Sequence, residues 1–424
     1  MVATSVDLTA SKRLAATAAR LWTLAVRFLL VFFLARYLAP EDVGMYGLLV
    51  ATIGFTIYVL GLDLYTFTSR EILKSPRVAW RGMVSSHFSL LAPVGVLGLS
   101  ASLLFFAGGA LPWSLLLWFL ALTPTEHVGY EVDRMLIAMS DQLNASLLVL
   151  LRQGILPTAV IPLFLIAPGV RSLETVLALW AVLNVIAVAV GLGLLIYKTR
   201  GGDRGWRAGL DWRWVVNGLK VALPFLIGTL SVKALFTLDR QAVAVFGSLA
   251  DVGVYTFAMS VAAGLTNVLA VSVHQFSYPR LVTVAHDRDM AEFRTQSRRL
   301  WIQSLVLVVL AIVGVLLAEP ILLDWVGEPV YARHAWLIPV SMAVIGVYNL
   351  SLVPHYVLYA VHADIAIVRI TIGALLAFLV GIATTLLSGG SGLLAAVVGV
   401  GAGSMVLLAG KAVAASRLAP RYFR

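Results

Sequence analysis

The first side chains to weigh are cations placed where an apolar chain should have none. Arg13, Arg20 and Arg27 recur every seven residues, about two turns of an α-helix, so they form one stripe along a helix face. At a rise of about 1.5 Å per residue, Arg27 lies roughly 16 Å before Leu38 at the end of its apolar block, near the middle of a bilayer. A central arginine costs about 2.5–3.5 kcal/mol on insertion scales, so it must face a wet cavity or a partner. A ladder of guanidinium groups suits a diphosphate, because each step replaces hydration that the anion loses. The structural alternative is an ion pair of Arg27 with Asp63 or Glu126 that holds helices together.

Other charges raise the same question. Lys233 sits near the centre of the first block of the second half, where Arg27 sits in the first half. Arg240 and Arg36 would form an outer basic rim, or else anchor helix ends at the interface. Asp239 and Arg240 are neighbours that project about 100° apart on a helix and need not pair. Glu126, His127, Glu131, Asp133 and Arg134 share the fourth block, and Arg152 lies halfway along the fifth. A pair of Arg152 with Glu126 or Glu131 is the plain structural reading, since intramembrane charges usually pair. The sharper reading makes Asp63, Glu126, His127 or Asp239 a coupling site for a proton or a sodium ion. The substrate-binding candidates are therefore Arg20, Arg27, Lys233, Arg152, Arg240 and Arg36.

No constellation of nucleophile, base and acid accompanies them, and no catalytic residue, metal site or cofactor is expected. The absence of cysteine excludes thiol chemistry and disulfides. His274, His355 and His362 lack metal-ligand spacing and read as structural. No phosphate-binding glycine loop ending in Lys-Ser or Lys-Thr occurs, so ATP is not the direct energy source. The glycines 399, 401 and 403 fit close helix packing, not a nucleotide loop.

The elements that carry these residues follow from composition. Of 424 residues, 60% are hydrophobic and 12% charged, with a mean hydropathy of +0.95. Soluble domains have roughly twice that share of charge, so a water-soluble protein is excluded. Long apolar blocks, not alternation, point to an all-α polytopic membrane protein. Twelve spans are expected, near 14–38, 43–68, 83–107, 112–134, 143–167, 173–197, 214–246, 252–278, 300–318, 333–361, 365–387 and 392–411. The run ILLDWVG (321–327) is too short to span and reads as a re-entrant or interfacial piece. The polar first twelve residues give no sign of a cleaved signal peptide.

The net charge of +10 does not require nucleic acid. With the N-terminus in the cytoplasm, 22 of the 31 basic residues fall on the cytoplasmic side, and only Arg36, Arg171, Arg240 and Arg333 fall outside. That asymmetry places both termini in the cytoplasm. Arg20, Arg27, Arg152, Lys220 and Lys233 are left inside the membrane, unexplained by topology; Lys220 is near enough to a helix end to snorkel.

The polar stretch 201–213 divides the chain into a lobe of six spans, 1–200, and a second lobe, 214–424. Asp42-Val43-Gly44-Met45-Tyr46 follows the first span and Asp251-Val252-Gly253-Val254-Tyr255 the seventh. The shared Asp-Val-Gly-x-Tyr pattern at one topological place supports a duplication of two six-helix pseudo-repeats.

These residues carry a resemblance. LARYLAPEDVGMYGLL with GLDLYTFTSREI, and later DVGVYTFAMSVAAGL, SYPRLVTVAHDRDMAEFRTQSRR and EPILLDWVG, are similar to bacterial polysaccharide and O-antigen flippases of the multidrug/oligosaccharidyl-lipid/polysaccharide exporter superfamily. The resemblance implies a V-shaped, two-lobed, alternating-access transporter in the bacterial inner membrane. It implies a substrate of undecaprenyl-diphosphate-linked oligosaccharide moved to the periplasmic leaflet through a cationic cavity, with ion coupling. Partners would be membrane lipid, a polysaccharide polymerase and glycosyltransferases. The alternatives are a multidrug exporter, which would want acidic cavities for organic cations, and a membrane polymerase or ligase, which would want a larger external loop.

Overall fold

The computed structural model of the chain describes residues 3–201 and 211–423. Among them the regular elements are all helical: α1 (Ala3–Tyr37), α2 (Pro40–Gly61), α3 (Tyr65–Lys74), α4 (Arg77–Ala101), α5 (Leu104–Ala107), α6 (Leu116–Ala138), α7 (Gln142–Val149), α8 (Ile155–Ile166), α9 (Leu173–Lys198), α10 (Trp212–Phe246), α11 (Leu249–Leu269), α12 (Gln275–His286), α13 (Met290–Val326), α14 (Pro329–Arg333), α15 (Leu337–Leu350), α16 (Leu352–Ala360), α17 (Asp364–Leu387) and α18 (Gly392–Tyr422). Most of the expected linker, including Arg204 and Arg207, lies outside the described residues.

Eleven segments among the described residues are long and apolar enough to cross a membrane. The twelfth expected span is α6. Its 23 residues reach about 34 Å at 1.5 Å per residue, enough to cross. It falls outside the eleven because Glu126, Glu131, Asp133 and Arg134 sit in it. The protein is an all-α, multi-pass membrane protein, and its most polar span is the one that carries the charge cluster.

Several boundaries depart from expectation, each for a local reason. The run 321–327 is not a separate piece: α13 continues through Pro320 to Val326 and stops at Gly327, whose φ of 73° ends the helix in the left-handed region. The second span is cut short, because Leu62 and Asp63 adopt left-handed φ values of 48° and 53° between α2 and α3. The fifth span joins α7 to α8 through a wide π turn, Leu150–Gly154. Pro157 lacks the N–H for the Gln153 carbonyl and its ring crowds that carbonyl, so a wider turn relieves the clash. A second π turn, Ala270–His274, joins α11 to α12. The tenth span breaks at Ser351, three residues before Pro354.

The contacts divide into two compact units, Met1–Phe33 with Leu49–Leu226, and Leu34–Leu48 with Ile227–Arg424. In the first, α6 packs among α3, α4, α7 and α9. Its apolar residues Val132, Met135 and Leu136, with Met139 just past its end, join Ile72, Val84, Ala145, Leu148 and Leu195 in a buried cluster. In the second, α17 and α18 lie side by side. A Cβ on Gly381 would stand 3.0 Å from the Gly399 Cα, and one on Gly403 3.1 Å from the Ala374 carbonyl oxygen. Of the three glycines expected to allow close packing, Gly399 and Gly403 do so, whereas a Cβ on Gly401 would make only ordinary contact with Val344 at 3.5 Å.

The repeated Asp-Val-Gly-x-Tyr pattern has a physical reading inside the second unit. Val43 and Val252 are fully buried. A Cβ on Gly44 would lie 2.2 Å from the Leu249 oxygen, and one on Gly253 2.0 Å from the Pro40 oxygen. The two copies therefore cross each other backbone to backbone at their glycines. Asp251 completes a capping box with Ser248 at the start of α11, and Tyr255 donates a 3.0 Å hydrogen bond to Asp239.

Alanine at Gly44 or Gly253 would gain at most about 1 kcal/mol of helix propensity. The forced separation of two backbones costs about 1–3 kcal/mol. Each variant should therefore unfold at a lower temperature than the native protein in detergent, a result that thermal scans would check. Between spans, Asp141 is partly buried, which alone would raise its pKa, but hydrogen bonds from Lys198 at 2.6 Å and from Asn144 hold it below the usual aspartate value. A depressed carboxylate adds stability at neutral pH that is lost as pH falls through its folded-state pKa. Asp141→Asn should flatten the acid limb of the thermal stability profile.

Candidate functional site

The spacing of charges in α6 assigns them to two faces. Glu126 and Asp133 are seven residues apart and share one face, whereas His127, Glu131 and Arg134 follow the 4 and 3 spacing of another.

On the first face, Arg152 reaches in from the π turn and is 1% exposed. One guanidinium nitrogen bonds a Glu126 carboxylate oxygen, and the other lies 2.5 Å from Asp133 Oδ2. The remaining Glu126 oxygen accepts from Trp180 Nε1 at 2.8 Å and Asn184 Nδ2 at 3.1 Å, both on α9. Gly129 makes room: a Cβ there would stand 2.8 Å from Arg152 Cδ. Arg152 is thus the plain pair the sequence suggested, with Asp133 as a second partner the sequence left out. It is shut off from any solute, unlike the other basic candidates.

On the second face, Glu131 is fully buried, and its Oε2 lies 3.1 Å from His87 Nε2 on α4. His87 Nδ1 lies 2.9 Å from the Thr68 hydroxyl on α3. Arg134 Nη1 is 3.8 Å from Glu131 Oε1, and its Nη2 donates to the Tyr130 hydroxyl at 2.5 Å. The guanidinium is held between the rings of Tyr65 and Tyr130, 3.3 and 3.7 Å from their centroids, a cation–π arrangement. Tyr130 and Tyr58 share a 2.6 Å hydrogen bond. His127 is buried on the same side, its Cε1 within 3.5 Å of where a Gly61 Cβ would lie. Asp63 is buried at the left-handed junction next to Gly61.

The stripe on α1 is different in kind. Arg13, Arg20 and Arg27 are all exposed on one face. Arg20 Nε donates to Ser146 Oγ at 2.8 Å, and Arg27 Nη1 donates to Gln153 Oε1 at 2.5 Å. Ser146 and Gln153 are themselves seven apart, so the fifth span answers the stripe with neutral acceptors at matching steps. Neither arginine forms a salt bridge among the described residues, although the charge of Arg20 also acts on Asp133. A Cβ on Gly154 would lie 2.7 Å from Thr23 Oγ1, which lets the fifth span approach α1 closely. Arg27 pairs with neither Asp63 nor Glu126.

The candidates of the second unit lie on or near α10. Lys233 is half-buried, and Lys220, of the first unit, is exposed. Asp239 is fully buried and accepts from Tyr255 and from the Arg240 backbone N–H at 2.7 Å. Arg240 does pair with Asp239, at 3.4 Å. Its flexible stem turns back along the helix, so that Nη1 also donates to the Phe236 carbonyl at 3.0 Å. Arg36 is exposed and lies over the Trp325 ring, 4.8 Å from its centroid, the geometry of a helix-end anchor.

His87, Trp180, Asn184 and the three tyrosines around Arg134 were not singled out from sequence. A polar signal existed: Asn184 interrupts an apolar span, and His87 follows Ser85-Ser86 within another. No group of His, Cys, Asp and Glu able to hold a metal occurs among the described residues.

The chain matches the family model described as polysaccharide biosynthesis protein over residues 13–285. No curated protein matches its sequence. Among solved structures it resembles a lipid II flippase, MurJ, in an inward closed conformation, with a TM-score of 0.72 and 11% identity over 96% of this chain and 88% of that one. It also resembles a MATE transporter in the bent conformation, with a TM-score of 0.59 and 14% identity over 97% of each chain. An outward-facing multidrug resistance MATE family transporter of the MOP superfamily gives a TM-score of 0.58 and 16% identity over 97% and 96%. These likenesses establish a transporter-type fold.

Removing one member of a buried ion cluster strands the others, typically at about 3–5 kcal/mol. Arg152→Met alone should therefore sharply lower folded yield and thermal stability. The triple variant Arg152→Met, Glu126→Gln, Asp133→Asn should recover much of that loss in a detergent melting assay.

Proposed function

Since the chain belongs to the polysaccharide biosynthesis protein family and has a transporter fold, we propose that it is a lipid-linked oligosaccharide flippase of the bacterial inner membrane. On this reading it moves undecaprenyl-diphosphate-linked glycan, an O-antigen or exopolysaccharide repeat unit, from the cytoplasmic to the periplasmic leaflet, coupled to an ion. Both termini lie in the cytoplasm on this reading, where the excess of basic loops would also attract anionic headgroups. A polysaccharide polymerase and glycosyltransferases would be its working partners.

The observation that carries the proposal is the exposed stripe on α1. Arg20 and Arg27 hold hydrogen bonds to Ser146 and Gln153 but make no salt bridge among the described residues. A guanidinium within a span needs charge compensation or water, and a diphosphate supplies two negative charges in a form that a guanidinium fork binds bidentately. Neutral acceptors keep each arginine oriented and release it readily, since an uncharged hydrogen bond is weaker than a charged one. Lys233 and Arg240 are proposed as the cationic side chains that serve the substrate on the second unit. An organic-cation exporter would gain nothing from such a stripe.

In proteoliposomes carrying the purified chain, a fluorescent polyprenyl-diphosphate disaccharide should move between leaflets, read by its protection from an external quencher. A charge-assisted contact of about 1.5–3 kcal/mol corresponds to roughly 10–100-fold. Arg27→Ala and Arg20→Ala should each slow flipping by that factor, Lys at either position should restore part of it, and Lys233→Ala should slow it too. Full activity in all three alanine variants at normal protein levels would overturn the diphosphate site.

A further inference from the structure

We infer that Glu131 and His87 form a proton-binding dyad that couples proton movement to transport, an inference that rests on the flippase reading for its consequence but not for its chemistry. The dyad is buried without remainder: Glu131 and His87 are 0% exposed and Thr68 1%. Proton accounting gives it two states, with two hydrogen bonds when unloaded and three when loaded. The Thr68 hydroxyl has one hydrogen and two acceptors in reach, His87 Nδ1 at 2.9 Å and the Leu64 carbonyl at 3.2 Å.

In the unloaded state, Thr68 donates to Nδ1, and His87 Nε2–H donates to an ionised Glu131. When a proton arrives, Nδ1 carries it and donates to the Thr68 oxygen, while the hydroxyl turns to Leu64. The hydrogen bond between Nε2 and Glu131 persists, with the added charge shared across it. No heavy atom has to move and no polar group loses its partner, so the site can load and unload without the penalty of an unmatched buried group. The proton comes from water and returns to water; nothing else is consumed.

The neighbours set the ion and the charge. Arg134 and His127 face Glu131 from α6 itself, Tyr130 from α6 and Tyr58 from α2 complete the ring around Arg134, and Tyr65 and Thr68 approach from α3. Asp63 adjoins at the junction. With Glu131 ionised and Arg134 charged, the pair is neutral; loading makes it singly positive. The one carboxylate already faces the charged Arg134 guanidinium, which repels a sodium ion, so the site selects a proton.

The mechanical connection is equally short. The Glu131 Oε1 atom stands where it would be 2.8 Å from a Cβ on Gly61. Directly after Gly61 come the two left-handed residues, Leu62 and Asp63, that join α2 to α3. Charge added at Glu131 therefore acts on the one strained joint between those helices, a natural two-state element.

The test uses the full chain in proteoliposomes. Infrared difference spectra between mildly acidic and mildly alkaline buffer should show imidazole bands from His87 with a change in the Glu131 carboxyl region. Both should vanish in Glu131→Gln and shift in Thr68→Val, which removes the hydroxyl rotor. Persistence of the same bands in Glu131→Gln would overturn the dyad. For coupling, wild type should flip the fluorescent polyprenyl-diphosphate disaccharide several-fold faster under an imposed pH gradient than without one, and be indifferent to a sodium gradient. Glu131→Gln and His87→Gln should lose the pH-gradient acceleration while retaining slow downhill flipping. An undiminished pH-gradient effect in both variants, or acceleration by sodium, would overturn the inference. If wild type moves no polyprenyl-diphosphate lipid at all, the flippase reading fails, while the infrared bands still decide whether the dyad binds a proton. Should Glu131→Gln not assemble, Thr68→Val and His87→Gln give the same two readouts.

Discussion

The structure of the first unit depends on one constraint: charges carried into an apolar phase by α6 must be answered by protein. A central charge costs about 2.5–3.5 kcal/mol on insertion scales, and α6 carries Glu126, Glu131, Asp133 and Arg134. They are met from several neighbours. Arg152 in the fifth span bridges two carboxylates, α9 supplies Trp180 and Asn184, and α4 supplies His87. Tyr58 and Tyr65 close around Arg134 from α2 and α3. The packing order around α6 is thus an arrangement of donors around acceptors, with glycine at 61 and 129 wherever a side chain would block the fit.

Two kinds of intramembrane arginine are therefore present. Arg152 is inaccessible and compensated by two carboxylates, so its energetic role is structural. Arg20 and Arg27 are exposed and held by neutral oxygens. Both kinds look alike in a sequence as cations within spans. What separates them is whether a carboxylate closes a salt bridge with them, and that depends on helix neighbours which periodicity does not reveal.

Much of the architecture was legible without coordinates. Hydropathy and the placement of breaks predict the spans, because backbone satisfaction in lipid leaves helices as the only route. The Arg13–Arg20–Arg27 stripe is legible from a heptad spacing alone, and the exposed face matches it. The duplicated Asp-Val-Gly-x-Tyr pattern pointed to a repeat, and its glycines prove to be a backbone crossing. Illegible were the partners of α6 beyond Arg152, since they come from α2, α3, α4 and α9 at long sequence separation. So was the pairing of Asp239 with Arg240: a helix projects neighbours apart, but a long side chain can fold back. The continuity of α13 is illegible too, because Pro320 and Glu319 look like an end, whereas the helix stops at Gly327.

The π turn at Leu150–Gly154 ties the two kinds of arginine together. Arg152 and Gln153 are consecutive, yet one reaches α6 and the other α1. On the proposed flippase reading, an anion that takes Arg27 away from Gln153 would free one side of this turn while Arg152 keeps the other fixed to Glu126 and Asp133. The stripe and α6 are thus joined through a single turn of backbone. On the opposite face of the same helix, Glu131 abuts the left-handed junction at Leu62 and Asp63. One heavily charged span thus meets the π turn through Arg152 on one face and the left-handed junction through Glu131 on the other.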